Sequence, residues 1–496
     1  MTVTPHRPSA LILDGSAPGD REILGGKAFS VNRMRGLGLP VPPAFVLPTY
    51  VCAQFHDNGG ALPEQVWQQV LAQLAELERQ TGRTFGAGPA PLLVSVRSGA
   101  AQSMPGMMDT VLNLGLTAEL AQALGRESGD PAWAADTWAR FVRSYAEIVV
   151  GDGDVTAQPP ADPYLQLRAA IGAVFDSWTN ERVRAYRERH RLGAGGGTAV
   201  TVQAMVFGNR DQCSGTGVLF SRDPSTGEAT LFGEWLRHAQ GEDVVSGERD
   251  PEPLAAVAAL SADLPTELAR VAGVLEAELR DMVDIEFTVE SGRLYMLQCR
   301  AGKRSPQAAV RIAAELAAEG VISPEQALAR VSAEQVDSLA QAHRVTGAGP
   351  VLARGLGACP GVATGHVARD LDEVTAHVEA GRDVILVREF TAPDDVPAMF
   401  SSVGVLTEVG GATSHAALVC REIGLPCIVG AGAGVVEQLA GRVVTIDGDS
   451  GTVYAGGASA ARSFADDPHV RALVGFADHA GTTDHPIHRL AASAHA

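Results

Sequence analysis

Several features that would assign a function at once are missing from this sequence, and each absence removes a class of chemistry. No block of Lys or Arg stands out and the net charge is −19. That balance excludes nucleic-acid and anionic-membrane partners, which need a clustered basic footprint. No segment reaches the ~20 consecutive apolar residues of a membrane span. The opening MTVTPHRPSALILDGS has no basic stretch followed by an apolar run, so a cytoplasmic protein is expected. Six cysteines (Cys52, Cys213, Cys299, Cys359, Cys420 and Cys427) contain no CxxC pair. Neither a zinc site nor a disulfide framework is indicated, and reduced structural thiols are expected. No GxxxxGK[ST] segment is present, which excludes P-loop kinase chemistry. No tandem period marks a solenoid or propeller.

With 496 residues the chain is too long for one core and fits two or three domains. The first ~300 residues mix short strands and helices, the expectation being a nucleotide-binding domain of two subdomains, and close on DIEFTVESGRLYMLQCR, a strand pair turning across Ser291 and Gly292. From Ser305 the pattern becomes helical. SPQAAVRIAAELAAEG and SPEQALARV each open with Ser-Pro in the Ncap and N1 roles, and Gly320 closes the first. Then come a Gly/Ala-rich stretch, the strand VILV, the strand VGVLTE, the helix SHAALVCREIG and the strands CIVG and VVTID, an α/β order. The reading gives an α/β multidomain chain: an α+β nucleotide-binding domain over 1–304, a helical connector and hinge over 305–350, a small domain over 351–457, and a poorly packed polar tail over 458–496.

Three segments carry chemistry. In GGATSHAALVCREIGLPCIVG at 410–430, two glycines let the backbone approach a ligand and Ser414 occupies a helix-cap position. His415 is thereby placed at the first turn of a helix whose N–H groups can hold a phosphate. In VSVRSGAAQSMPGMMDTVLNLGL at 94–116, Arg97 and the loop after it offer a cation and backbone donors to a polyphosphate; a surface ion pair is the plainer role for Arg97. Upstream, GGKAFSVNRM sets Lys27 after a Gly pair at a helix start. In DIEFTVESGRLYMLQCR, Asp284 and Glu286 share one strand face and Gln298 lies on the return strand, oxygen donors suited to a hard cation such as Mg²⁺. Arg300, on the face of Gln298, adds positive charge for a phosphoryl-transfer transition state.

The segment around His415 resembles the phosphohistidine motif of the phosphoenolpyruvate-utilising enzymes, among them pyruvate phosphate dikinase, phosphoenolpyruvate synthase, enzyme I of the sugar phosphotransferase system and rifampin phosphotransferase. The stretches at 94–116, 197–228, 233–247 and 284–305 are similar to the ATP-grasp domain of the dikinase, and the resemblance runs from about Leu24 to about Gly457. It implies an ATP-grasp domain followed by a swivelling phosphohistidine domain. By resemblance His415 is the phosphoacceptor, and Lys27, Arg97, Glu286, Gln298 and Arg300 serve the ATP phosphates and Mg²⁺, with Asp284 and Arg140 as further members. Thr413 matches the position at which a regulatory kinase acts on some dikinases.

Three departures qualify the resemblance. The dikinase continues into a (β/α)₈ barrel of ~250 residues that binds pyruvate and phosphoenolpyruvate, for which this sequence has no room. The stretch between Gly151 and Leu165 is short. Ala101 and Val409 replace family arginines, and the TEVGG form is closer to rifampin phosphotransferase. The expectation is a dikinase-type phosphotransferase that phosphorylates His415 from ATP, with inorganic phosphate a candidate second acceptor. It then passes the group to pyruvate on a separate barrel polypeptide. The alternatives are transfer to another small molecule, or a non-catalytic nucleotide-binding regulator or phosphocarrier.

Overall fold

A computed structural model describes residues 7–101, 110–151, 157–180, 197–241, 251–340, 349–456 and, except for 483, 467–492, with a few isolated positions between them. The chain forms two compact units, one of 1–213 with 288–299 and one of 214–287 with 300–496. The division therefore runs through the expected nucleotide-binding region, and the hairpin over 283–301 contributes to both units.

The first unit is built on a five-stranded antiparallel sheet in the order Leu11–Ile12, Ala44–Leu47, Ala199–Ala204, Val94–Gly99, Thr110–Leu114. Val94 and Val96 point to the core, where they meet Val111, Val202, Phe141 and Phe175. Each such side chain removed from water contributes roughly 1.5–3 kcal/mol. Alternation then puts Arg97 and Gly99 together on the strand's other face. The helix Arg21–Gly36 starts at Asp20, whose carboxylate accepts from the N–H groups of Glu22 and Ile23. It breaks at Gly25 (φ 74°, ψ 156°), a conformation essentially reserved for glycine, and resumes beyond it.

A second five-stranded sheet runs Arg293–Ala301, Val283–Glu290, Gly215–Phe220, Phe232–Arg237, Glu252–Pro253; its last three strands belong to the second unit. The hairpin turns where its residues require it, at Ser291 (φ 50°) and Gly292 (φ 81°). The Ser-Pro openings also behave as their chemistry dictates. Ser305 Oγ accepts from Ala308 N–H to start the helix Pro306–Ala318, and Ser323 with Gln326 forms a capping box at Pro324–Leu328. An eight-stranded sheet follows, in the order Val351–Arg354, Thr452–Ala455, Val443–Asp447, Val362–Ala368, Val384–Arg388, Gly404–Thr407, Cys427–Val429, Leu356–Cys359. Its central pairings over 362–368, 384–388, 404–407 and 427–429 are parallel, and apolar clusters cover both faces.

The polar tail expected over 458–496 is corrected by the structure. Pro468–His479 is a helix, and Val470, Leu473, Ala477, Ile487 and Leu490 are buried in one cluster with Ile312, Leu316 and Val336 of the helical segment. The apolar residues recur at helical spacing, and the histidine-rich composition hid that stripe. Among the described residues no helix is long and apolar enough to cross a membrane.

Candidate active site

Within the second unit the strand Gly404–Thr407 leads into the loop Glu408–Ser414 and then the helix His415–Ile423. His415 is the first helical residue. Ser414 holds the extended backbone of a cap (φ −62°, ψ 161°), but its hydroxyl makes no capping bond and lies buried without a partner. The side-chain cap expected there is absent. His415 Nδ1 lies 3.0 Å from Thr391 Oγ1. Burial lowers the imidazole pKa below its ordinary value of 6.5, against a weaker opposing pull from Asp395. The ring is therefore neutral at pH 7 and keeps a lone pair on one nitrogen.

The loop before His415 is an anion cradle, and its occupant is Glu234 from the strand Phe232–Arg237. The Glu234 carboxylate accepts from the N–H of Ala412, from the N–H of Thr413 at 2.8 Å and from the Thr413 hydroxyl at 2.6 Å. A Cβ on Gly411 would stand 2.2 Å from Glu234 Oε1, which is why glycine is needed there. From beneath, the fully buried Arg421 donates to the carbonyls of Ala358 (2.8 Å) and Ala412, while its Nη1 has no acceptor. Burial lowers the Arg421 pKa. Thr413, the expected regulatory position, is buried with its hydroxyl committed to Glu234, so a kinase reaches it only when that contact opens.

On the hairpin, Asp284 is buried and its Oδ2 accepts from Arg300 Nε at 2.8 Å. Desolvation raises its carboxyl above the usual range, and the guanidinium opposes that push; the same contact raises Arg300. Asp284 Oδ1 accepts nothing. Glu286 follows two residues later on the same strand face, half-buried. Gln298, on the part of the return strand that belongs to the first unit, has a buried Oε1 without a donor. Orphaned carboxylate and amide oxygens are the donor type that a hard cation takes. No group of three His, Cys, Asp or Glu side chains suited to a metal occurs among the described residues. A Mg²⁺ held by Asp284 and Glu286 would thus keep water or phosphate oxygens in its shell, as Mg²⁺ commonly does.

In the first unit, Gly25 and Gly26 press against the end of the strand Val94–Gly99. Gly26 N–H donates to Ala100 O at 2.9 Å, and a Cβ on Gly25 would fall 2.0 Å from Gly99 O. The Lys27 Cβ lies 3.8 Å from where a Gly99 Cβ would stand, so Lys27 sits beside the strand face that also carries Arg97. Residues 102–109 of the expected phosphate loop lie outside the described residues. Arg140 sits on the helix Pro131–Tyr145, where its Nε pairs with Asp136 Oδ2 at 2.8 Å. Sequence reasoning missed Glu234, Thr391 and Arg421. Only Arg421 left a trace, as a charge on the apolar side of SHAALVCREIG.

Residues 58–259 and 251–320 match the family described as pyruvate phosphate dikinase, AMP/ATP-binding domain, and residues 380–451 match the PEP-utilising enzyme mobile domain. The chain is 43% identical to a pyruvate, phosphate dikinase of Rhizobium meliloti, over 89% of this chain and 57% of that protein. It is 38% identical to that of Clostridium symbiosum, over 88% and 56%. To the chloroplastic pyruvate, phosphate dikinase 1 of Arabidopsis thaliana it is 42% identical, over 83% and 47%. It spans about half the length of these relatives.

Proposed function

Because the chain belongs to the pyruvate phosphate dikinase family, we propose that it takes a phosphoryl group from ATP onto His415 and hands it to a second acceptor. The observation that carries this reading is the state of His415: first residue of a helix, kept neutral by burial, with Nδ1 held by Thr391. When Nδ1–H donates to Thr391 Oγ1, the Nε2 lone pair is free to attack phosphorus, and helix N–H groups stand beside the charge that develops. Lys27 and Arg97 bind polyphosphate oxygens at the strand end, where the glycine pair lets the start of the helix carrying Lys27 lie against Gly99. Glu286, Asp284 and Gln298 carry the oxygens that would hold Mg²⁺, which neutralises phosphate charge in phosphoryl transfer. Arg300 holds Asp284 through Oδ2, leaving the buried Oδ1 without a hydrogen-bond partner and its lone pairs uncommitted.

In this reading Nε2 attacks the β-phosphorus, the bond to the bridging oxygen breaks, and AMP departs with that electron pair. Inorganic phosphate then takes the γ-phosphoryl group, leaving phosphohistidine and pyrophosphate. Pyruvate held by a (β/α)₈ barrel, or another small molecule, is the acceptor of the remaining phosphoryl group. The test is incubation with ATP labelled separately at the β and γ positions. Acid-labile, base-stable label from the β position with release of AMP is expected, and His415→Ala abolishes it. Label that persists in that variant, or ADP as the product, removes the reading; nucleotide binding with no label on protein supports a non-catalytic regulator instead.

A further inference from the structure

The first unit holds a second basic site, unused by the mechanism above. A cavity of about 790 Å³ opens at the end of the sheet opposite Lys27. Leu92 and Leu93 line it where the strand Val94–Gly99 begins, and Ala204 lines it where the antiparallel Ala199–Ala204 ends. Lys27 lies at Gly99, roughly 17 Å further along at about 3.4 Å per residue. Val41, Pro42, Leu93, Val206 and Phe207 supply the apolar part of a lining whose accessible surface is mostly polar.

Its polar lining is lopsided. Four arginines, Arg35, Arg79, Arg83 and Arg293, and one acidic residue, Glu290, are among the lining residues, in a chain whose net charge is −19. Arg35 is held by Val41 O and Gln80 Oε1 at 3.1 and 2.9 Å, and Arg79 by Glu76. Among the described residues, Arg83 and Arg293 have no such partner for their guanidinium groups; Arg293 lies over the Tyr295 ring, 5.1 Å from its centroid. Glu290 is shared: Arg210 Nη1 stands 3.8 Å from its Oε1, and Arg210 and Arg83 both pull its carboxyl pKa down against the burial that pushes it up, so one carboxylate is set against several guanidinium groups. Two forks without a hydrogen-bonded partner, beside a small apolar patch, match a divalent oxyanion attached to a compact carbon skeleton, because guanidinium recognises phosphate through paired N–H groups and the patch gains by excluding water. The volume lies within the range of small-molecule sites.

We propose that this cavity binds a phosphate monoester with a compact apolar body, with Arg83 and Arg293 on the phosphate and the Pro42 to Leu93 wall against the carbon skeleton. The site is separate from the nucleotide phosphates and does not depend on phosphorylation of His415. Titration calorimetry of the full chain with phenyl phosphate tests it, with inorganic phosphate as the comparison. Saturable binding of phenyl phosphate is expected, at least tenfold tighter than inorganic phosphate. The Arg83→Ala/Arg293→Ala protein should lose it at least tenfold while labelling His415 from ATP at the wild-type rate. Lys27→Ala should bind phenyl phosphate as wild type does. The inference is overturned by no saturable binding at millimolar concentration, by equal affinity for inorganic phosphate, or by loss in Lys27→Ala with retention in the double variant. A melting curve of the double variant that matches wild type separates lost binding from lost folding.

Discussion

Two glycine pairs serve the two ends of the proposed phosphoryl transfer, and they do different work. Gly25 and Gly26 in the first unit let backbone lie against backbone, with Gly99 O where a Gly25 Cβ would be. Of Gly410 and Gly411 in the second unit, Gly411 lets backbone lie against a side chain, the carboxylate of Glu234. A carbonyl within a five-stranded sheet cannot withdraw without breaking the ladder, whereas a glutamate can change rotamer. The first pair is thus a fixed seat for Lys27, and the second is a contact that can be made and released.

The largest predicted effect breaks the rigid pair. Gly25→Ala introduces a Cβ at 2.0 Å from backbone at φ 74°, and it should cost about 3 kcal/mol or more in denaturant unfolding. A loss under about 1 kcal/mol would mean that the seat adapts and the contrast fails. Gly411→Ala should cost less, about 2 kcal/mol, because it displaces Glu234 and forfeits its three hydrogen bonds without straining φ. The two substitutions also differ in rescue. Removing the obstructing carboxylate with Glu234→Ala should recover part of the Gly411→Ala cost in a double-mutant cycle. Additivity within experimental error would show that Glu234 does not set the requirement for glycine at 411. Glu234→Gln should cost only about 1 kcal/mol, since one amide oxygen still accepts while the amide nitrogen cannot.

The same contrast explains what was legible in the sequence. The hairpin at Ser291–Gly292, the Ser-Pro helix starts and the placement of His415 at a helix start are local consequences of residue chemistry within a few positions. The Gly25–Lys27 segment was visible as a glycine pair, but not the break in the helix at Gly25, because its cause is Gly99, far along the chain. Glu234 lies 178 residues from Ala412 and Thr391 lies 24 from His415, separations over which no periodicity speaks. The packing of Pro468–His479 was concealed by composition, since its flanks are rich in histidine and small residues while the stripe of Val470, Leu473 and Ala477 is narrow.

The smallest effect is one of pH, and it separates the releasable site from the rigid one. Burial depresses the His415 pKa below 6.5, so in the window beneath that value the unfolded chain binds a proton that the folded chain refuses. Stability therefore rises with pH through this window, and its His415 contribution is fully present above 6.5 and lost as pH falls through the folded-state pKa. His415→Gln should flatten that part of the stability curve, whereas Lys27→Met, which removes no group titrating there, should leave the slope intact. The same proton controls attack, because only the neutral ring has a lone pair on Nε2 to offer. The rate of labelling from ATP should accordingly rise with pH to a plateau whose midpoint lies below 6.5. Thr391→Val removes the partner of Nδ1 while keeping the shape of the side chain. It should lower the plateau through loss of ring orientation, and the folded protein should retain wild-type nucleotide affinity. A midpoint at or above 6.5 would place His415 in contact with solvent or a carboxylate, and a Thr391→Val protein with an unchanged plateau would show that the 3.0 Å contact does not orient the ring.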